Sequence, residues 1–507
     1  AMAARNRAHD SKGRELRVGT VWVRKKECIL RLTSESLTWI EKADKTRGGT
    51  AQLDALFGAD LKKEPRSRHG HTEGPRQVPF MVRAMPLVKN SRTKRQVKSL
   101  EFLAESETEA TEWVAAVRET VALYTWYENP SSPWQLSALV ERQPVLVLIN
   151  PVGGTRKAPS HYRNIIHPML KSAGLQHEMK ETERAGHATE IGQQVETGKY
   201  SAIVTVSGDG LLHELLQGLM DRPDWAEAIQ TPISIIPGGS GNGLMRSLFV
   251  EGQMAGTFNV IKGHVHEMDL VSISSLDRSV VCYSHLAVFW AILADADIES
   301  EKYRWAGPVR FTIGAVVRLL NLRSYKGILH YLPLEDCPDV DHATEEFSPS
   351  GPERKYLADD PEATPPGWQT IDTDFVLFCA ANVGWLATDA QIAPYARLAD
   401  GAVDIIYIEK GIPKSKLVKM FLDLEEGTAI ENSPDCVKYV KARAFTLVPK
   451  QAGIMDADGE VIKNEPIICE VHPGLGRVIA PKELSTYLPE AEWEGSRKQQ
   501  LALQRKK

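Results

Sequence analysis

The sequence predicts a mixed α/β plus all-β protein, built as a small β domain, an α/β domain on a parallel sheet and a strand-rich C-terminal part. Three observations predict it. A chain of 507 residues exceeds one ordinary hydrophobic core. Residues 15–126 alternate at strand period and close with one helix, whereas from 144 strand and helix patterns alternate. After 263 the helical alternation gives way to strand-like runs.

In the first part, VGTVWV, CILRLT, SLTWI, PFMVRAM and SLEFLAE read as short strands. ATEWVAAVRETVALY then places Trp113, Val117, Val121 and Tyr124 on one helical stripe, suited to plugging the end of a small antiparallel sheet. This part resembles a PH-like domain. Arg24, Lys25 and Lys26 fall where phosphoinositide-binding members of that fold hold phosphate, and equally suit a solvated turn. Residues 66–77 read as a mobile loop.

Residues 127–143 read as a linker, and VLVLIN then opens the α/β domain, 144–263, with the continuous apolar run of a buried parallel strand. Three Gly-rich turns follow three of its strands: NPVGGTRK, SGDG and PGGSGNG. Together they set backbone N–H donors along the C-terminal edge of one sheet, where phosphate groups collect. The P-loop string GxxxxGK[ST] is absent and the GxGxxG dinucleotide fingerprint fails, so a nucleotide is implied without either of those folds. Asp209, inside SGDG, is the first candidate for chemistry; capping the following helix is its alternative role.

NPVGG, SGDGLLHELLQGLM, PGGSGN, ADADIESEKYRWAGPVR and DADGE resemble the sphingosine kinases, of the diacylglycerol kinase catalytic fold superfamily, over residues 143–333 and 371–480. The resemblance implies an α/β domain for ATP, a β-sandwich domain for lipid over 264–485, and transfer of the γ-phosphate of ATP, with Mg2+, to the primary hydroxyl of sphingosine or a related long-chain base. It implies Asp209 as general base. It implies nucleotide contacts at Asn150, Gly153, Gly154, Thr182, Ser207, Gly210, Glu214, Ser240, Gly241 and Glu460, and phosphate contacts from Arg304 and Arg310. Asp297 would hold the cationic amine of the lipid head, with Asp295 less securely placed, and no residue is assigned as a metal ligand. Asp458 and Gly459 equally suit a hairpin turn. The first Gly-rich loop departs from the animal enzymes, with Val152 and Thr155 in place of Arg and Lys. Ile313, Val316 and Val317 match a membrane-docking patch, although a core face fits their periodicity too.

The acidic, Pro-rich segment 334–370 reads as a disordered insertion, with Ser348–Pro349 as a candidate phosphorylation site, and 486–507 as a frayed tail. A net charge of -5 gives no reason to expect nucleic acid. Six cysteines without CxxC spacing suit a reducing compartment, and no apolar run reaches membrane-spanning length. The expectation is a cytoplasmic enzyme that visits a membrane surface; whether it forms a homodimer is left open. Rival readings are a ceramide or diacylglycerol kinase, or a lipid-binding scaffold with an inactive kinase unit.

Overall fold

The computed structural model describes residues 14–62, 77–89, 91, 94–127, 143–239, 241–300, 322–336, 351–356, 363–482 and 484. Residues 66–76 of the expected loop at 66–77, most of the linker, the membrane patch, Ser348 with Pro349, and the tail lie outside these residues.

The N-terminal strands β1 (Glu15–Val23), β2 (Lys26–Thr33), β3 (Ser36–Glu41), β4 (Gly48–Gln52), β5 (Leu56–Leu61), β6 (Val78–Ala84) and β7 (Lys98–Ala104) form one sheet in the order β4-β3-β2-β1-β7-β6-β5. Arg24 and Lys25, at φ of 50° and 68°, make the two-residue β1–β2 turn, the conformation whose twist matches paired strands. Lys26 turns instead to Glu41, at 2.9 Å. Helix α1 (Glu107–Tyr127) packs on β5, β6 and β7, burying Trp113, Val117 and Val121 as the stripe requires. Trp113 lies parallel to Phe80, and Arg17 stacks over its ring.

The α/β part runs β8 (Val145–Ile149), α2 (Ala158–His161), α3 (His167–Ser172), β9 (His177–Glu181), α4 (His187–Gln194), β10 (Ala202–Ser207), α5 (Asp209–Met220), α6 (Trp225–Ala228), β11 (Ile233–Pro237), α7 (Gly243–Ser247) and α8 (Gly252–Lys262). Its strands neighbour one another in the order β11-β10-β8-β9, with β10 and β11 parallel. Every residue of β8, β10 and β11 is buried, which is why these strands read as unbroken apolar runs.

The chain divides into two compact units. The first unit joins the N-terminal sheet to residues 161–178 and 251–264, which carry α3 and α8. Polar contacts explain the grouping. Arg118 Nε donates to Ala59 O and Ser172 O at 2.9 and 3.0 Å, capping the C-terminal carbonyls of α3, and Ser172 Oγ donates to Asp60 at 2.6 Å. Gly58 lies flush on α3: a Cβ there would stand 2.4 Å from Ser172 O. From α8, Lys262 Nζ donates to the carbonyl of Leu53, and Phe258 packs edge-on against Phe57.

The second unit holds the rest of the α/β part together with β12 (Val265–Ser274), β13 (Val280–Ser284), β14 (Ala287–Ala291), α9 (Ile292–Ser300), β15 (Tyr325–Pro333), β16 (Gln369–Ala381), β17 (Trp385–Ala387), β18 (Ala390–Gln391), β19 (Val403–Glu409), α10 (Lys414–Asp423), α11 (Ala429–Asn432), β20 (Lys438–Pro449), β21 (Met455–Ala457), β22 (Glu460–Ile462) and β23 (Ile467–Ile479). Strand β16 sends alternate residues to opposite faces. Phe378 and Ala380 join a core around Trp290 and Phe445, while Leu377, Cys379 and Ala381 join one that α10 covers with Leu417 and Met420. Strand β23 pairs antiparallel with β12 and β20 and parallel with β11, so one sheet runs from the sandwich into the α/β part.

The expectation of disorder across 334–370 is corrected where the segment is described. Glu470, buried on β23, accepts the N–H groups of Lys355 and Tyr356 at 3.0 and 3.1 Å. Arg354 donates to Ser274 Oγ and Arg278 O, and residues 369–370 already belong to β16. Composition reads the polarity of such a strap but not its anchors.

Candidate active site

The three Gly-rich loops meet backbone to backbone. A Cβ on Gly154, at φ +53°, would fall 2.7 Å from Gly239 Cα, and one on Gly208 would fall 2.6 Å from Gly241 O. Side chains are therefore excluded where the loops touch, which explains the glycines. Asn150, just past β8, shapes the first loop: its Oδ1 accepts the N–H groups of Val152 and Gly153 at 3.1 and 2.8 Å. An added Cβ on Gly210 meets nothing, so that face of the second loop is open to a ligand.

Two further predicted nucleotide contacts serve the scaffold. Thr182, buried after β9, donates its N–H to Ile149 O at 2.8 Å. Glu214 Oε2 accepts the N–H of Ala188 at the start of α4, at 3.2 Å. Ser207 ends β10 and is buried, and a Cβ added to Gly241 would stand 3.8 Å from Asp209 Oδ2. Ser240, Arg304 and Arg310 lie outside the described residues, as does the side chain of Asp297.

Asp209 opens α5 and is 6% exposed. Its carboxylate caps a different helix from the one it begins: Oδ2 accepts Gly243 N–H at 2.8 Å and Oδ1 accepts Leu244 N–H at 3.2 Å, at the start of α7. Helix α7 is held against the β17 loop, since a Cβ on Gly243 would fall 2.6 Å from Trp385 O, while Arg246 stacks over the Trp385 ring. Burial pushes the Asp209 carboxyl above its usual range; His285 and the two N–H groups oppose that rise and Asp458 adds to it.

Sequence reasoning placed Asp458 in a hairpin turn, where it is found, but missed its contacts. Asp458, at φ 55° in the β21–β22 turn, is buried. Its Oδ1 accepts from Ser284 Oγ at 2.6 Å, Leu286 N at 2.9 Å and Ala287 N at 3.0 Å. Its Oδ2 accepts from His285 N at 3.0 Å and lies 2.9 Å from His213 Nδ1 and 2.8 Å from His285 Nδ1. Burial alone would raise this carboxyl, but His285 and His213 hold it well below the usual range. The signal was present in DADGE and in the histidine of LLHELL, without anything to say that they meet. Glu460, two residues on, is exposed on β22.

Among the described residues, His213, His285 and Asp458 are the group whose ligand atoms could surround a metal ion, all within 4.8 Å. The set does not fit Mg2+. That ion takes oxygen ligands in a near-octahedral shell, whereas two of these groups are imidazoles and the carboxylate already accepts from backbone and hydroxyl donors. A separate cavity of about 550 Å³ is lined by Asp295, Arg323, Tyr325, Gln451, Gly453 and Ile454, and Tyr325 donates to Asp295 within it at 2.7 Å. No described helix is long and apolar enough to cross a membrane.

Residues 144–273 match the family described as diacylglycerol kinase catalytic domain, and 367–480 match the YegS C-terminal NAD kinase beta sandwich-like domain. Human sphingosine kinase 1 is 36% identical over 344 residues, covering 65% of this chain and 88% of that protein. Sphingosine kinase 1 of Arabidopsis thaliana is 34% identical, covering 64% and 70% respectively. Sphingoid long chain base kinase 4 of Schizosaccharomyces pombe is 30% identical over 349 residues, covering 66% and 74%.

Proposed function

The chain belongs to the sphingosine kinase family, and from that premise we propose that Asp209 is its general base in the transfer of the γ-phosphoryl group of ATP to the primary hydroxyl of a sphingoid long-chain base. The observation that carries the reading is the meeting of the three Gly-rich loops at a buried carboxylate pinned by Gly243 and Leu244.

In the transfer, the lipid hydroxyl oxygen forms a bond to the γ-phosphorus while the bond from that phosphorus to the β,γ-bridging oxygen breaks. ADP leaves with that electron pair, and Asp209 takes the hydroxyl proton. Little covalent work falls to the protein in such a step, so positioning and charge carry most of the catalysis. The loop N–H groups would receive the phosphates of ATP, with Asn150 and Thr182 holding two of the segments in shape. Mg2+ accompanying ATP would supply neutralisation of phosphate charge, and no side chain is assigned to hold it.

Arg304 and Arg310 are assigned to the phosphates and Asp297 to the amine of the lipid head, each by its match to the family motif. An anionic partner for a cationic amine favours a long-chain base over neutral diacylglycerol or ceramide. A substrate drawn from a bilayer also requires contact with a membrane surface, which is assigned to the segment around Ile313, Val316 and Val317.

The test is ATP-dependent phosphorylation of sphingosine, phytosphingosine, ceramide and diacylglycerol in parallel mixed micelles. Turnover confined to the long-chain bases is expected, and absence of turnover with every base refutes the assignment. Asp209→Asn should remove nearly all activity from a folded protein; a variant that keeps its activity refutes the base role.

A further inference from the structure

His213 stands one helical turn after Asp209, so both side chains share one face of α5. His285, at the corner between β13 and β14, is fully buried, with its ring 6.5 Å from that of His213. Its Nδ1 sits at ion-pair distance from Asp458, 2.8 Å, without the alignment of a hydrogen bond, and its Nε2 is buried with no hydrogen-bond partner among the described residues. Two buried carboxylates, Asp209 and Asp458, thus both act electrostatically on this ring. Like charges so placed disfavour each other's ionisation unless a positive charge stands with them.

We propose that His285 is a positioning residue for phosphoryl transfer: its imidazolium, held on Asp458, keeps Asp209 a carboxylate ready to take the hydroxyl proton. Among the described residues, the charged and titratable groups that act on it are Asp458 on the β21–β22 turn and Asp209 and His213 on α5. Burial alone would discharge the ring, yet Asp458 and then Asp209 outweigh burial and favour the charged form. His285 takes no proton from substrate. Its effect is on the pH at which Asp209 becomes competent.

The inference rests on the reading of Asp209 as the base, and two variants separate them. In His285→Asn, kcat with sphingosine and ATP is measured from pH 5.5 to 9 beside the wild type. The acid limb should move up by about one pH unit, a roughly tenfold loss on that limb, with the alkaline plateau within about twofold of wild type and both KM values unchanged. A purely structural role would lower kcat at every pH, and that result, or an unmoved limb, overturns the proposal. Should the Asn variant fail to fold, 15N-histidine NMR of the wild-type protein replaces it. A ring still doubly protonated at pH 7.5 supports the proposal, and none so protonated overturns it. Activity retained by Asp209→Asn refutes the base reading itself, whereas a dead Asp209→Asn beside an unmoved limb refutes only the role of His285.

Discussion

Replacing Asp458 by Asn tests how much of the fold hangs on one buried charge. Asn tolerates the left-handed backbone at this turn, where φ is 55°, so the substitution isolates the charge. Its carbonyl oxygen can keep the three donors on Oδ1, from Ser284, Leu286 and Ala287. Its NH2 then occupies the place of Oδ2 and faces the N–H of His285 and both imidazoles. Leaving that buried N–H unpaired costs about 1–3 kcal/mol, and reducing three charge-assisted bonds to neutral ones costs about 1 kcal/mol each. The expected loss is therefore about 4–6 kcal/mol, a large share of a typical folding stability. Urea unfolding should show it as a midpoint lower by at least ~1 M, taking a slope of about 1–3 kcal/mol per M. Because the folded carboxyl is held below its ordinary value, its contribution is present above about pH 4 and is lost as pH falls further. The wild-type advantage should thus shrink below pH 4, and it should also decline as pH rises above about 6.5, where a His285 ring that loses its proton no longer gains from Asp458. A midpoint within ~0.2 M of wild type at pH 7.5 would refute the reasoning.

Three other perturbations follow from contacts described above. Gly243→Ala drives a Cβ against Trp385 O and Leu386 O, so α7 must retreat from Asp209; kcat should fall tenfold or more in a folded protein, and an unchanged kcat contradicts the pinning role. Gly154→Ala forces the first loop off Gly239 and should raise KM for ATP about tenfold while sparing KM for the base, as steady-state kinetics with each substrate varied would show; equal rises in both count against a nucleotide cradle. Arg118→Ala strips the donor from Ala59 O and Ser172 O and should destabilise the first unit by about 1–3 kcal/mol. In a double-mutant cycle with Asp60→Asn it should show coupling, and strict additivity in thermal unfolding would deny a shared network.

Local pattern carried the elements well. The buried strands β8, β10 and β11 were legible as unbroken apolar runs, and the α1 stripe as Trp113, Val117 and Val121. The glycines marked the turns because close backbone approach leaves a local signature. Partnership left none. Asp209 reads as a cap of the helix it begins, and only the fold shows the 34-residue reach to α7. Asp458 and His213 lie 245 residues apart, and an Asp-Gly turn looks the same whether its acid faces water or two imidazoles. Likewise, nothing local says that α3 and α8 join the N-terminal sheet in one unit.

Strand β23 sets a timetable for biosynthesis. The edge of β11 is completed at Ile233 only by Val478, and alongside it Gln230 Nε2 donates to Leu475 O, 245 residues away. At roughly 5–20 residues per second, a ribosome needs on the order of 10–50 s to supply that partner. Throughout that interval the nucleotide sheet has a bare apolar flank, a template for pairing with other chains. Chaperone demand during translation should therefore centre on β11, and a chain stopped before β23 should aggregate even with all three Gly-rich loops and Asp209 already made.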